Sequence, residues 1–264
     1  MQFDGILAGK IALVTGGSRG LGRGVAAVLA DAGATVFATG RTIAEATLPS
    51  AVTRLACDHT DDDQVAGVFE RIAAEHRQLD VLVNAAWGGY ERMMEGGQFT
   101  WPLPFWEQPA WRWHAMIDAG ARAAFVASQH AARLMVPNRR GLIVHLSSWA
   151  ARKRLGNTIY GVSKAATDKM AADMAVELAT HDVAVVSLYP GLVRTEAVMA
   201  FAEFMDLRNS ESPEFTGRAI AALAVDADVQ RRTGDVLIVA SLAADYGFTD
   251  IDGKRPQPLT LEQM

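Results

Sequence analysis

At 264 residues, half of them hydrophobic and 21% charged, the chain has the composition of a globular protein with a sizeable core, within reach of a single α/β domain over residues 1–264. Its 25 basic and 30 acidic residues leave a net charge of −5, which gives no electrostatic reason to expect nucleic acid or an anionic membrane as a partner. Cys57 is the only cysteine and the six histidines are scattered singly, so a disulfide framework and a metal centre are disfavoured, and a reducing cytoplasm is the expected location.

The first residues, "MQFDGILAGK", lack the basic start and long apolar run of a signal peptide, and no stretch reaches the roughly 18 to 20 apolar residues that span a bilayer. The first apolar run, "IALVTG" (11–16), leads into "TGGSRGLGRG" and a helix expected over 20–32. Thr15 precedes glycines at 16, 20 and 22, with Ser18, Arg19 and Leu21 between them. Small residues between a strand and a helix let the backbone turn sharply and approach a pyrophosphate, which the helix N-terminus then meets with its N–H groups.

The second run, "ATVFATG" (34–40), ends at Arg41. Sites selective for NAD usually place an acid there for the ribose hydroxyls. A guanidinium fits a 2′-phosphate bidentately and keeps its charge, and Arg19 can approach the same phosphate, so NADPH/NADP+ is the expected cofactor. Residues 41–51 are too few for a full helix and two loops, and "VTRLA" (52–56) is the next run. A helix over 61–76, capped by Asp61, and a strand "LDVLVNA" (79–85) follow.

Residues 87–113 break the rhythm and hold five of the six tryptophans. They leave the carboxyl edge of the sheet, where such folds bind ligands. Trp87, Tyr90, Trp101, Phe105 and Trp106 are candidates to line an apolar pocket, with Trp149 as a further wall. Trp111 and Trp113 are expected to pack the helix over 108–136 onto the sheet or onto another subunit. The remaining elements are "GLIVHLS" (141–147), a helix over 158–180, "VAVVSLY" (183–189), a helix over 212–227, "DVLIVA" (235–240) and a tail (242–264) that ends irregularly. Strands apolar on both faces and alternating with helices imply right-handed βαβ units. The expected fold is therefore a Rossmann-type, doubly wound, seven-stranded parallel sheet with helices on both faces. The Ala-rich helices 108–136 and 158–180 suggest a homo-oligomer, a dimer or tetramer.

Tyr160 and Lys164 lie four residues apart and share a helix face. A free tyrosine titrates near about 10, and a neighbouring ammonium lowers that value toward the range of useful proton exchange. A serine hydroxyl beside them can hold a substrate oxygen as its charge changes. Ser147 and Ser148 both compete for that role. The spacing itself leaves both open, and the end of the apolar run in "LIVHLSS" favours Ser148, which is the serine expected to act.

With these motifs the chain resembles the short-chain dehydrogenase/reductase superfamily over essentially its whole length. The likeness rests on "TGGSRGLG", "CDHT", "VNAAWG", "YGVSK" and "SLYPGLVRTE". It implies an adenine contact at Asp58, cofactor contacts at Asn84 and Ala85, and a turn of Pro190, Gly191, Val193 and Thr195 about the nicotinamide carboxamide. It implies too that Lys164 holds the nicotinamide ribose. Two positions depart from the family pattern: Trp87 stands where a glycine is usual and Gly120 where an asparagine shapes the helix and its carbonyl holds a relay water. A closer likeness to one member extends to "ARLMVP", "YGVSKAATDKMAADMAVEL" and the tail "DYGFTDIDGKRPQ". It implies an NADPH-dependent reductase of apolar ketones, such as steroids or xenobiotics. The alternatives are alcohol oxidation with NADP+ by the same residues, or a sensor or scaffold that binds the nucleotide without turnover.

Overall fold

Seven parallel strands form one sheet in the computed structural model, which describes residues 1–263. They are β1 (Ile11–Thr15), β2 (Thr35–Gly40), β3 (Thr53–Ala56), β4 (Val81–Asn84), β5 (Gly141–Leu146), β6 (Val183–Tyr189) and β7 (Val236–Ile238). Their order is β7-β6-β5-β4-β1-β2-β3, and every pairing in the sheet is parallel. The central strands β1, β4 and β6 are buried at every position, which is why they read as unbroken apolar runs. Edge strand β3 alternates between half-buried and exposed.

The main helices are α1 (Gly20–Asp31), α2 (Asp62–His76), α3 (Ala123–Asn138), α4 (Thr158–Leu178), α5 (Pro213–Val225) and α6 (Val239–Tyr246). They cover both faces. Ala12 and Val14 of β1 pack with side chains of α1, α5 and α6, while Ile11 and Leu13 pack with side chains of α2, α3 and α4. The Asp61 side chain caps α2 as expected, accepting from the N–H groups of Asp63 and Gln64. The connection after β2 is shortened to a 3₁₀ turn, Ile43–Glu45. The sheet reverses its winding between β1 and β4, so a crevice opens at their carboxyl ends, where Thr15 pairs with Asn84.

Three details differ from the sequence reading. The strand expected to reach residue 240 stops at Ile238, because α6 begins at Val239 with no polar break to mark it. The segment 87–113 contains a small hairpin, Met94–Glu95 against Gln98–Phe99, turning through Gly96 and Gly97 at positive φ. The long helix before β5 starts with a single α-turn, Trp111–Trp113, and then widens into a π-helix over His114–Arg122 before α3 continues it.

Candidate active site

The glycine turn follows β1, and two of its glycines have no room for a side chain. Gly16 has φ +69°, and a Cβ there would lie 2.6 Å from the Ala85 carbonyl oxygen; a Cβ on Gly22 would lie 2.3 Å from the Gly16 oxygen. Thr15 ties the turn to β4, its Oγ1 accepting from the N–H groups of Ala85 and Ala86 at 3.0 and 3.1 Å. The Ser18 hydroxyl is buried against Gly40 without a hydrogen-bond partner. Leu21 follows in the first turn of α1.

Helix α1 has no side-chain cap of its own. Its Gly20 N–H donates instead to Glu196 Oε2 at 2.9 Å, and Arg23 pairs with the other oxygen of that carboxylate at 2.8 Å. The two arginines at the end of the groove behave alike. Arg19 and Arg41 both reach Glu91 Oε1, at 2.7 and 2.6 Å. Carboxylates thus sit as stand-in anions at the α1 N-terminus and between the paired guanidinium groups. The orphan Ser18 hydroxyl, the tight glycine turn and these two anion sites fit a nicotinamide dinucleotide.

The remaining cofactor candidates border the same groove. Thr195 caps the short helix Glu196–Met199, and its methyl group would be 3.5 Å from a Cβ on Gly20. Pro190 and Gly191 follow β6, and Val193 belongs to a two-residue ladder with Glu211. A Cβ on Gly191 would come within 3.1 Å of Glu211 Oε2. Burial pushes the Glu211 carboxyl up to about 8, and a hydrogen bond from Gly191 opposes that rise. Asp58 accepts from the Thr60 N–H and hydroxyl at 3.0 and 2.8 Å. Asn84 turns its side chain away from the groove. Its amide is buried and donates to Ser128 Oγ at 3.0 Å.

Tyr160 and Lys164 sit in the first turns of α4, whose start is fixed by Asn157. That side chain accepts the Tyr160 N–H at 2.9 Å. Ser148 lies just past β5, and its Oγ meets the Tyr160 hydroxyl at 2.9 Å. Ser147 points elsewhere, donating to the Lys164 carbonyl oxygen at 3.3 Å from a buried position. Lys164 Nζ donates to the Leu146 carbonyl oxygen at 3.0 Å. Burial pushes its ammonium down to about 8, while the Asp168 carboxylate one turn on pulls the other way. His145 on β5 is held down to about 4 by burial and then by Lys164, so the imidazole beside the lysine stays neutral.

The aromatic segment divides. Trp87, Tyr90 and Trp101 gather around the Tyr160 ring, with centroids 5.8, 6.2 and 5.3 Å away. The Tyr90 hydroxyl donates to the Tyr160 hydroxyl at 3.2 Å. Burial, with Tyr160 beside it, holds the Tyr90 phenol well above its usual value. Phe105 and Trp106 are 67% and 72% exposed and meet each other edge to face, with no ring contact to Tyr160, so neither lines this cluster. Trp149 packs edge-on against Tyr189 at 5.2 Å and lies outside the ring cluster. Trp113 is half exposed in the single chain, so it does not pack against the sheet. The residue that sequence reasoning missed is Arg112 between these tryptophans. It is fully buried, lies over the rings of Trp101 and Trp111, and donates to Thr100 Oγ1 at 2.5 Å.

A nucleotide groove at the switch of a parallel sheet, with serine, tyrosine and lysine converging beside it, defines the architecture of a dinucleotide-dependent oxidoreductase. The chain belongs to the short-chain dehydrogenase family, whose model matches residues 10–206. It is 40% identical to dehydrogenase/reductase SDR family member 1 of Mus musculus, over 94% of this chain and 85% of that protein. The Homo sapiens protein of the same name is 39% identical over the same shares. A short-chain type dehydrogenase/reductase from Mycobacterium marinum shares the fold with a TM-score of 0.73 at 29% identity, covering 89% of this chain and 95% of its own. Members of the family are oxidoreductases of alcohol and carbonyl groups that use nicotinamide cofactors. Among the described residues, no helix is long and apolar enough to cross a membrane.

Proposed function

We propose that the protein is an NADPH-dependent reductase of apolar ketones or aldehydes, with Tyr160 as the proton donor to the carbonyl oxygen. The observation that carries this reading is the 2.9 Å contact of Ser148 Oγ with the Tyr160 hydroxyl, one helical turn from the Lys164 ammonium. When bound, the nicotinamide supplies the hydride. Ser148 orients the carbonyl oxygen by a hydrogen bond that strengthens as charge develops there. Tyr160 yields its phenolic proton to that oxygen, and the Lys164 ammonium nearby favours the phenolate left behind. The incoming oxygen takes the place of the Tyr90 hydroxyl on Tyr160. Trp87, Tyr90 and Trp101 offer planar apolar surface beside the reacting centre, which supports bulky cyclic or aromatic substrates over small polar ones. NADPH consumption across a panel of carbonyl compounds tests the reading. Reduction of small polar carbonyls alone would reject the apolar preference.

The choice of NADPH over NADH rests on Arg19 and Arg41, which already share one anionic oxygen. A 2′-phosphate would replace the Glu91 carboxylate there, exchanging two exposed ion pairs for charge-assisted bonds to a dianion. Hydrogen bonds to charged groups contribute about 1.5–3 kcal/mol each, so Arg41→Ala should weaken NADPH by ~10- to 150-fold and leave NADH nearly unchanged. Glu91→Gln removes the competitor and should tighten NADPH by ~2- to 5-fold, the scale of an exposed ion pair, again without effect on NADH. Titrating both nucleotides into the variants by fluorescence checks this. Equal effects on the two cofactors would place the arginines outside the phosphate site.

Reduction should also depend on pH in one direction. The Lys164 ammonium loses its charge as pH rises, near about 8. For the reductive reaction, kcat/KM should therefore be flat below that value and fall above it. A reductive rate that climbs through pH 8 would contradict the assigned roles.

A further inference from the structure

The two departures from the family pattern, Trp87 and Gly120, form one feature in space. A Cβ on Gly120 would lie 2.9 Å from Cε3 and Cζ3 of the Trp87 indole, and a Cβ on Gly89 would lie 2.7 Å from its Cζ2. The indole fits its slot because both neighbours are glycine. Gly120 lies inside the π-helix, and its carbonyl oxygen accepts from the Ala123 N–H, a bond shared with Asp118. The wide turns are therefore kept without an asparagine, aided by Ser163, whose hydroxyl donates to the Met116 carbonyl at 2.8 Å.

Lys164 Nζ lies 4.2 Å from the centroid of the indole ring that this slot holds. Of the three aromatic side chains, tryptophan binds a cation best over its face, and more strongly where water is excluded. We infer that Trp87 is a positioning residue for Lys164: seated in the slot that Gly120 opens, its indole face holds the ammonium between the ring and the Leu146 carbonyl. This rests on the proposed role of Lys164 beside Tyr160. It differs from the pocket-wall role expected of Trp87, which would govern KM for bulky substrates and leave the lysine alone. The groups facing the ammonium are Tyr160 and Asp168 on its own helix and the neutral His145 on β5. Asp168 is in turn engaged by the Tyr189 hydroxyl.

The test reads the lysine in the cofactor-free protein, by a pH titration of side-chain carbon shifts after isotopic labelling of lysine. Trp87→Leu should lower the proton affinity of Lys164 by ~3- to 30-fold, the range from a partly exposed to a desolvated cation–π contact. Trp87→Phe should do so by less. Replacing every tryptophan with 5-fluorotryptophan, which weakens the ring face and preserves its packing, should shift Lys164 the same way even if the leucine variant does not fold. A packing cycle supplies an independent readout. Gly120→Asn should depress the melting temperature of the parent strongly and that of Trp87→Gly little or not at all. In turnover, Trp87→Phe should lower kcat for small and bulky carbonyls alike, where a wall residue would raise KM for bulky ones only. An unmoved Lys164 titration in the fluorinated protein, or additive effects of Gly120→Asn and Trp87→Gly, would overturn the inference. A normal Lys164 shift in a protein that reduces no carbonyl would instead count against the proposed function alone.

Discussion

Tyr160→Phe is expected to lower turnover by ~10³-fold or more while NADPH binding changes by less than about twofold, because the substitution removes one hydroxyl and little else. Positioned general acids contribute typically ~10²–10⁴-fold, and here the same hydroxyl meets both Ser148 and Tyr90. The phenyl ring would keep its packing against Trp101 and Trp87. Asn157 would still accept the backbone N–H of residue 160, so the start of α4 stays in place. Steady-state kinetics with the best carbonyl substrate, paired with a fluorescence titration of NADPH, separates the outcomes. Full turnover in the variant would remove Tyr160 from the chemistry. A joint loss of turnover and cofactor affinity would show that the residue supports the groove instead. A protein that only senses the nucleotide would keep its regulated output in this variant.

The sheet was legible because its strands are buried on both faces. Runs such as "VAVVSLY" contain no polar face to confuse the period, and all seven positions of β6 are buried. The glycine turn was legible for a different reason: positions 16 and 22 tolerate no side chain, so a local spacing records a steric fact. Legibility failed where one element runs into the next without a polar break, as at Ile238 and Val239. It failed again where partners lie far apart in sequence. Glu91 lies 72 residues beyond Arg19, and Glu196, at the start of the short helix Glu196–Met199, lies 176 residues beyond Gly20; nothing local marks either carboxylate for its anion site. In "WRW" the tryptophans drew the packing expectation, yet the buried side chain is the arginine between them. Its guanidinium is accommodated by the faces of Trp101 and Trp111, a three-body arrangement that no helical period encodes. Trp87 and Gly120 are likewise two unrelated oddities in the sequence and one packed pair in the fold.

The adjacent serines give the sharpest separation of chemistry from structure. Both follow β5, and alternation along an extended chain turns their side chains to opposite sides. Ser147 faces inward, is 4% exposed and donates to the Lys164 carbonyl oxygen. Ser148 faces the groove, where its Oγ is within 2.9 Å of the Tyr160 hydroxyl and also accepts the Ala150 N–H at 3.3 Å. Ser148→Ala should therefore reduce kcat/KM by ~10²–10³-fold, about 2.7–4 kcal/mol, the scale seen on removing one donor from a developing oxyanion. Ser147→Ala should leave turnover within a few-fold of the parent and cost about 1 kcal/mol of stability, the net worth of one buried hydrogen bond. Parallel kinetics and denaturant titrations on the two variants read both quantities. Loss of turnover in Ser147→Ala with an active Ser148→Ala would reverse the assignment. The serine-to-tyrosine interval usual in the family would favour Ser147, which lies one residue further from Tyr160 than Ser148. In the structure a 3₁₀ turn, Trp149–Ala151, follows Ser148, which caps it. The hydroxyl that starts this turn is the one that the turn brings to Tyr160.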